Sequence, residues 1–123
     1  MAEAQEVVYQ FCKAFERKNL DEIIGFFTED AEYQNVPMGP GAKGKEAIKK
    51  VINTFLPMAK EVQFRIVRSA ATGNTVMNER VDIFDMGGKK VELPVAGVFE
   101  VKNGKIALWR DYFDLAMWTK QTS

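Results

Sequence analysis

The strongest constraint on this chain lies in its second half, where four runs rich in β-branched and aromatic residues are separated by short turn signals. The runs cover Glu61–Ala70, Thr75–Asp85, Lys90–Val101 and Lys105–Asp114, and the turns fall at Gly73-Asn74, Gly87-Gly88 and Asn103-Gly104. Asn-Gly is the strongest short hairpin signal, because a type I′ turn requires positive φ at both central residues. The second half therefore reads as a meander of long antiparallel strands.

The first half has a different period. Val7, Val8, Phe11, Cys12 and Phe15 recur at helical spacing. Asn19 can cap a second, shorter helix bearing Leu20, Ile23, Ile24 and Phe27. An extended piece, Ala31–Val36, precedes a loop at Pro37-Met38-Gly39-Pro40-Gly41. Ile48, Val51, Ile52 and Phe55 then fit one face of a third helix closed by Pro57, and Leu115–Lys120 reads as a short terminal helix. Helices first and strands afterwards predict one α+β domain over residues 1–123, a curved sheet with helices packed into its concave side.

Composition narrows the chemistry. Histidine is absent, which removes Ser-His-Asp and Cys-His catalysis and His-ligated zinc. Acid–base work falls to carboxylates, tyrosine or lysine. Seventeen Lys and Arg balance 17 Asp and Glu, so no net charge argues for nucleic acid or an anionic membrane as partner. Lys43, Lys45, Lys49 and Lys50 read as the wet face of a helix. The single cysteine, Cys12, sits in an apolar stripe as a core residue and allows no intrachain disulfide. No stretch approaches the ~20 apolar residues of a membrane span, and Met1–Gln10 does not resemble a signal peptide. The expectation is a soluble, cytoplasmic chain with no phosphate-cradling loop, metal or cofactor.

Alternation of side chains along each strand exposes a conflict. Leu93, Val95, Gly97, Phe99 and Val101 form an uninterrupted apolar face, but the set Ala107, Trp109, Asp111, Phe113 places an aspartate among aromatics. A carboxylate buried there must be neutral or paired. Val76, Asn78, Arg80, Asp82 and Phe84 share another face. Arg80 and Asp82 taken alone could be solvated neighbours, and Asp111 a structural partner of Arg110 or Arg80. Taken together, a fork-shaped guanidinium two residues from a second acid suits the stranded Asp111. Two carboxylates bridged by one arginine can share a proton, leaving one as acid and the other as base at the same pH. Such a pair fits opening of a strained ether by water. Tyr33 and Asn35, on one face of the first extended segment, can hold that water or merely be the wet tips of a half-buried strand. Phe84, Leu93, Val95 and Phe113, with Trp109 beside Asp111, would line an apolar pocket.

Four pieces carry a resemblance over nearly the whole chain: Tyr33-Gln34-Asn35-Val36-Pro37; Arg80-Val81-Asp82; Leu93-Pro94-Val95-Ala96-Gly97-Val98-Phe99; and Gly104-Lys105-Ile106 running on to Trp109-Arg110-Asp111-Tyr112-Phe113-Asp114. In this order the set resembles the limonene-1,2-epoxide hydrolases, within the cone-shaped NTF2-like and SnoaL-like folds. The resemblance implies a mixed, mostly antiparallel curved sheet and cofactor-free hydrolysis of a small apolar, cyclic or terpenoid epoxide to a vicinal diol. It implies Asp111 as general base, Asp82 as general acid, Arg80 bridging them, and Tyr33 and Asn35 holding the water with Asp111. Asp114 is expected to cap the terminal helix instead. The resemblance also implies a homodimer through the outer sheet face, where Met77, Val81 and Ile83 form an apolar stripe. Fold alone leaves open a ketosteroid-isomerase-like or dehydratase-like enzyme, or a non-catalytic apolar-ligand-binding domain.

Overall fold

A computed structural model describes residues 2–123. Helix α1 (Ala2–Arg17) and the short α2 (Leu20–Ile24) are followed by strands β1 (Phe27–Asn35) and β2 (Ala42–Lys43), helix α3 (Lys45–Phe55), and strands β3 (Glu61–Thr72), β4 (Thr75–Met86), β5 (Lys89–Lys102) and β6 (Lys105–Tyr112). Helix α4 (Leu115–Thr122) completes the chain. The strands form one six-stranded sheet in the order β2-β1-β6-β5-β4-β3. All neighbours pair antiparallel except β1 and β6, which run parallel, so the sheet is mixed as the resemblance implied.

The hairpins follow from their turn residues. Asn103 and Gly104 take φ of 52° and 79°, and Gly87 and Gly88 take 64° and 91°, positive values that glycine adopts without a Cβ penalty. Alternation along β5 is nearly perfect, with Val91, Leu93, Val95, Phe99 and Val101 all buried. Helix α1 packs across this inner face, most closely against β3, and buries Val8, Phe11, Cys12 and Phe15. Cys12 is a buried free thiol whose pKa burial pushes up to about 12, so it behaves as a core side chain.

Several expected boundaries shift. Asn19 caps α2 through Oδ1, which accepts from the Glu22 N–H at 3.0 Å, but the helix stops at Ile24. Phe27 therefore belongs to β1, which starts earlier than expected because Ile106 pairs with this stretch. The loop after Pro37 tightens into a single 3₁₀ turn, Val36–Met38, and then forms β2. A further 3₁₀ turn, Leu56–Met58, absorbs Pro57 after α3. Lys43 lies in β2, so the basic helical face begins only at Lys45. Between β5 and β6, Glu100 pairs with Leu108 but Val101 pairs with Ile106, leaving Ala107 of β6 as the extra residue of a β-bulge. The bulge resets the alternation. Ile106 and Trp109 both point inward, and Ala107 leaves the inner set to which simple alternation assigned it. Strand β6 ends at Tyr112, so Phe113 lies in the connection to α4.

Candidate active site

The site is built on the inner faces of β4 and β6, with β5 between them. Period-2 alternation along β4 sends Asn78, Arg80 and Asp82 to the same side, and all three are buried, Arg80 completely. Asp111 reaches the same spot from β6 and is 5% exposed. Between them on β5, opposite both Asn78 and Asp111, stands Gly97.

Arg80 meets its partners along two edges of its guanidinium. Nε donates to Asp82 Oδ1 at 2.9 Å, and Nη2 to Asp82 Oδ2 at 2.8 Å. Nη1 and Nη2 donate to Asp111 Oδ1 and Oδ2 at 3.2 and 2.9 Å. Each carboxylate is thus held through both oxygens, the fork geometry for which arginine is suited. Asp111 Oδ1 also accepts from the Trp109 indole Nε1–H at 2.7 Å. The alternative pairing of Asp111 with Arg110 does not occur, because Arg110 points to the opposite face of β6. The guanidinium lies over the Phe64 ring, 4.7 Å from its centroid, in a cation–π contact.

Charge in this trio is unbalanced, two carboxylates against one cation. Burial pushes the Asp82 carboxyl up to about 6; Arg80 pulls it down, and Asp111 adds to the rise. For Arg80 burial works against the charge, but Asp111 and Asp82 outweigh it and hold the guanidinium firmly protonated.

Tyr33 and Asn35 arrive on β1, whose parallel pairing with β6 sets Tyr33 beside Trp109 and Asn35 beside Asp111. The Tyr33 ring stacks on the Trp109 indole with centroids 4.2 Å apart. Asn35 Nδ2 donates to the phenol oxygen at 3.0 Å, which leaves the phenol hydrogen available to a further acceptor. Burial holds the phenol above its usual pKa, so it stays protonated.

Asp82, Asp111, Tyr33, Asn35, Phe64 and Trp109 border one cavity of about 250 Å³, whereas Arg80 and Asn78 do not. That is slightly below the ~300–1,000 Å³ of drug-sized ligand sites, so the space suits a small molecule. Asp82, Asp111, Tyr33 and Asn35 form its polar end, and Phe84, Leu93, Val95, Trp109 and Phe113 are among the residues that line it. Arg80 stands behind the two carboxylates. Sequence reasoning missed the other wall: Val51, Ile52 and Phe55 of α3, Met38, Met58 and Trp118. Val51 shared the helical apolar stripe with the core residues, and its 42% exposure gave no separate signal in the sequence. Met38 and Met58 each follow a proline at a helical turn and project toward the cavity mouth. Among the described residues, no group of three or more Cys, Asp or Glu side chains is placed to hold a metal ion, and no helix is long and apolar enough to cross a membrane.

A sheet curved around helices, with two buried acids bordering an apolar cavity, defines an NTF2-like domain. Residues 2–123 match the limonene-1,2-epoxide hydrolase catalytic domain, and the chain belongs to that family, an epoxide hydrolase by class. The chain is 34% identical over 108 residues to epoxide hydrolase EphG of Mycobacterium tuberculosis (strain ATCC 25618 / H37Rv), covering 88% of this chain and 71% of that protein. The structure of an M. tuberculosis LEH-like epoxide hydrolase superposes with a TM-score of 0.83 at 32% identity, covering 98% of this chain and 90% of that one. An NTF2-like protein of unknown function from Burkholderia pseudomallei K96243 superposes with a TM-score of 0.88 at 16% identity, over 100% and 99% of the two chains, a likeness of fold alone.

Proposed function

We propose that the protein adds water to a small apolar epoxide, cyclic or terpenoid in character, in one step without a covalent intermediate. One observation carries this reading: a single buried arginine grips two carboxylates that both border the apolar cavity. In the proposed reaction Asp111 is the general base and Asp82 the general acid. A water sits between Asp111, the Tyr33 hydroxyl and the Asn35 amide. Asp111 removes one proton as the water oxygen bonds to a ring carbon. The carbon–oxygen bond of the epoxide breaks, and the departing oxygen takes the proton of Asp82. The product is a vicinal diol, and solvent exchange returns the proton from Asp111 to Asp82.

The physical support lies in the charge balance. Sharing one proton leaves the trio neutral, which suits its burial. The raised pKa of Asp82 keeps it able to donate, as a general acid must. Asp111 instead receives three N–H donors, two from Arg80 and one from Trp109, which aim its oxygens as acceptors. The apolar walls bind hydrocarbon and exclude bulk water.

Single-turnover reaction with limonene oxide or cyclohexene oxide in ¹⁸O-water tests this directly. Label in the first-turnover diol is expected, since water attacks the ring itself. Unlabelled oxygen in that diol would indicate an aspartyl ester, and absence of diol across a broad epoxide panel would overturn the reading.

We also infer a homodimer through the outer sheet face. Met77 is 53% and Tyr112 45% exposed there, alongside half-buried Val81 and Ile83. Light scattering on the purified protein should give twice the chain mass. A monomer at micromolar concentration would remove this inference.

A further inference from the structure

Arg80 presents five N–H groups, and a guanidinium can only donate. Four of its contacts go to the two aspartates. The fifth goes to Asn78: Nη1 donates to Asn78 Oδ1 at 3.1 Å. This acceptor differs from the others in being neutral, and it must be the amide oxygen, because an amide NH₂ facing Nη1 would set donor against donor. The amide nitrogen accordingly turns away, toward Cys12 Sγ on α1 at 4.0 Å. Asn78 is 4% exposed and, unlike Asp82 and Asp111, does not line the apolar cavity. It cannot touch a substrate held there.

We propose that Asn78 is a positioning residue for epoxide opening, an uncharged fifth acceptor that fixes the Arg80 fork so that both carboxylates are held through both oxygens. The role rests on the reading of Asp82 and Asp111 as the acid–base pair. Two acids against one cation leave the cluster one negative charge in excess, which one shared proton neutralises. A third carboxylate would saturate Nη1 equally well but deepen that excess. A side chain with no acceptor would leave a buried N–H to seek another oxygen, drawing the guanidinium out of register. An asparagine satisfies Nη1 and leaves the charge unchanged. Asn78 Oδ1 and Asp111 Oδ1, the two acceptors of Nη1, converge over the bare Cα of Gly97.

Cys12 and Tyr33, beside the fork, do not compete between pH 5 and 9. Burial pushes Cys12 up to about 12 and holds Tyr33 above its usual range. Glu16, also on α1, accepts from the Phe64 backbone N–H at 2.9 Å. Asp82, which burial pushes up to about 6, is the group that titrates in this window.

Two variants test the role. Asn78→Leu keeps the bulk and removes the acceptor. It should lower kcat at least about tenfold, as expected when a reacting group is misplaced, while KM stays within about threefold because the cavity wall is untouched. Asn78→Asp keeps an acceptor but adds charge. It should retain more turnover than Asn78→Leu and move the alkaline limb of kcat/KM upward by at least about half a pH unit. Carboxyl ¹³C titration of Asp82 in Asn78→Asp should rise by the same amount, and it reads the arrangement without any turnover. A parent protein inactive on every epoxide therefore overturns the proposed reaction, while the Asp82 titration still decides the role of Asn78 toward Arg80. A folded Asn78→Leu with kcat within about twofold of the parent overturns the positioning role. So does an Asp82 midpoint unmoved in Asn78→Asp, which settles the matter if Asn78→Leu does not fold.

Discussion

Gly97 and Arg80 compete for the same space: a Cβ built on Gly97 would lie far inside contact distance of Nη1, 2.8 Å from Asn78 Oδ1 and 3.0 Å from Asp111 Oδ1. The backbone at Gly97 is ordinary strand, so the glycine is required for close approach and not for an unusual φ. Gly97→Ala should therefore displace the guanidinium. We expect loss of turnover together with a destabilisation of about 1–3 kcal/mol, the usual cost of overpacking a filled interior. Urea unfolding and epoxide turnover on the same preparation check both. Near-parental activity in the alanine variant would mean that the fork has freedom this packing does not show.

Replacing either acid by its amide removes a proton carrier but keeps its shape. Asp82→Asn and Asp111→Asn should each lower kcat by about 10²–10⁴, the range for a positioned general acid or base, while circular dichroism stays that of a folded protein. Substantial activity in either variant would show that the acid or the base is a different residue.

The pH dependence of stability carries its own signature. Asp82 titrates at about 6 in the folded protein against 3.8 for an ordinary aspartate, because burial disfavours its charge. Between these values the folded state binds a proton that the unfolded chain does not. The stability from this group is complete below about pH 3.8 and is lost as pH rises through 6. The difference in unfolding free energy between the parent and Asp82→Asn should fall by up to about 3 kcal/mol from pH 4 to pH 7. Chemical denaturation across that range measures it. A difference that stays flat, or that grows with pH, would contradict a proton-loving Asp82. The same proton sets the kinetic profile, so kcat/KM should decline as pH rises above about 6.

Helix α4 closes one side of the cavity and is held in place through a side chain. Gln121 accepts from the Glu92 N–H at 2.8 Å and donates to the Glu92 carbonyl at 2.9 Å, imitating a strand partner on β5. The helix is capped by Asp114, whose Oδ1 accepts from the Met117 N–H at 3.0 Å. Trp118 then meets Phe84 edge-on, with centroids 6.0 Å apart. Trp118→Ala should enlarge the space and raise kcat/KM for bulky epoxides relative to small ones, by about tenfold for a pocket change of a few methylenes. Competition between cyclohexene oxide and limonene oxide would reveal it. An unchanged ratio would mean that the helix does not govern substrate size.

Most of the architecture was legible because alternation and turn chemistry agree in the second half, where Asn103-Gly104 and Gly87-Gly88 fix their hairpins locally. The parallel pairing of β1 with β6 was not, since it joins segments far apart in sequence and leaves no local mark. The bulge at Ala107 was hidden for a related reason: the residue is apolar and fits either face. Within the site, Asp111 announced itself as a charge among aromatics. Asn78 did not. It was visible only as a member of the Arg80 face, because a neutral amide on a strand has many uses and its partner becomes evident only with the five contacts of the guanidinium. The cavity wall from Met38, Met58 and Trp118 depends on how loops and a terminal helix fold over the sheet, which periodicity does not encode.

Trp109 has a consequence beyond the hydrogen bond it donates to Asp111. Its ring is 1% exposed and packs against Phe11, Phe27, Tyr33 and Phe99. The oxygen that receives its N–H is therefore anchored to a buried ring enclosed by other aromatic side chains. Divergence toward new substrates has little room at this end, where any change of volume would be felt through the whole aromatic cluster. It has room at the opposite end, where exposed methionines and a terminal helix form the rim. The protein thus separates a tightly packed floor from an open mouth, and altered specificities are to be sought at the mouth.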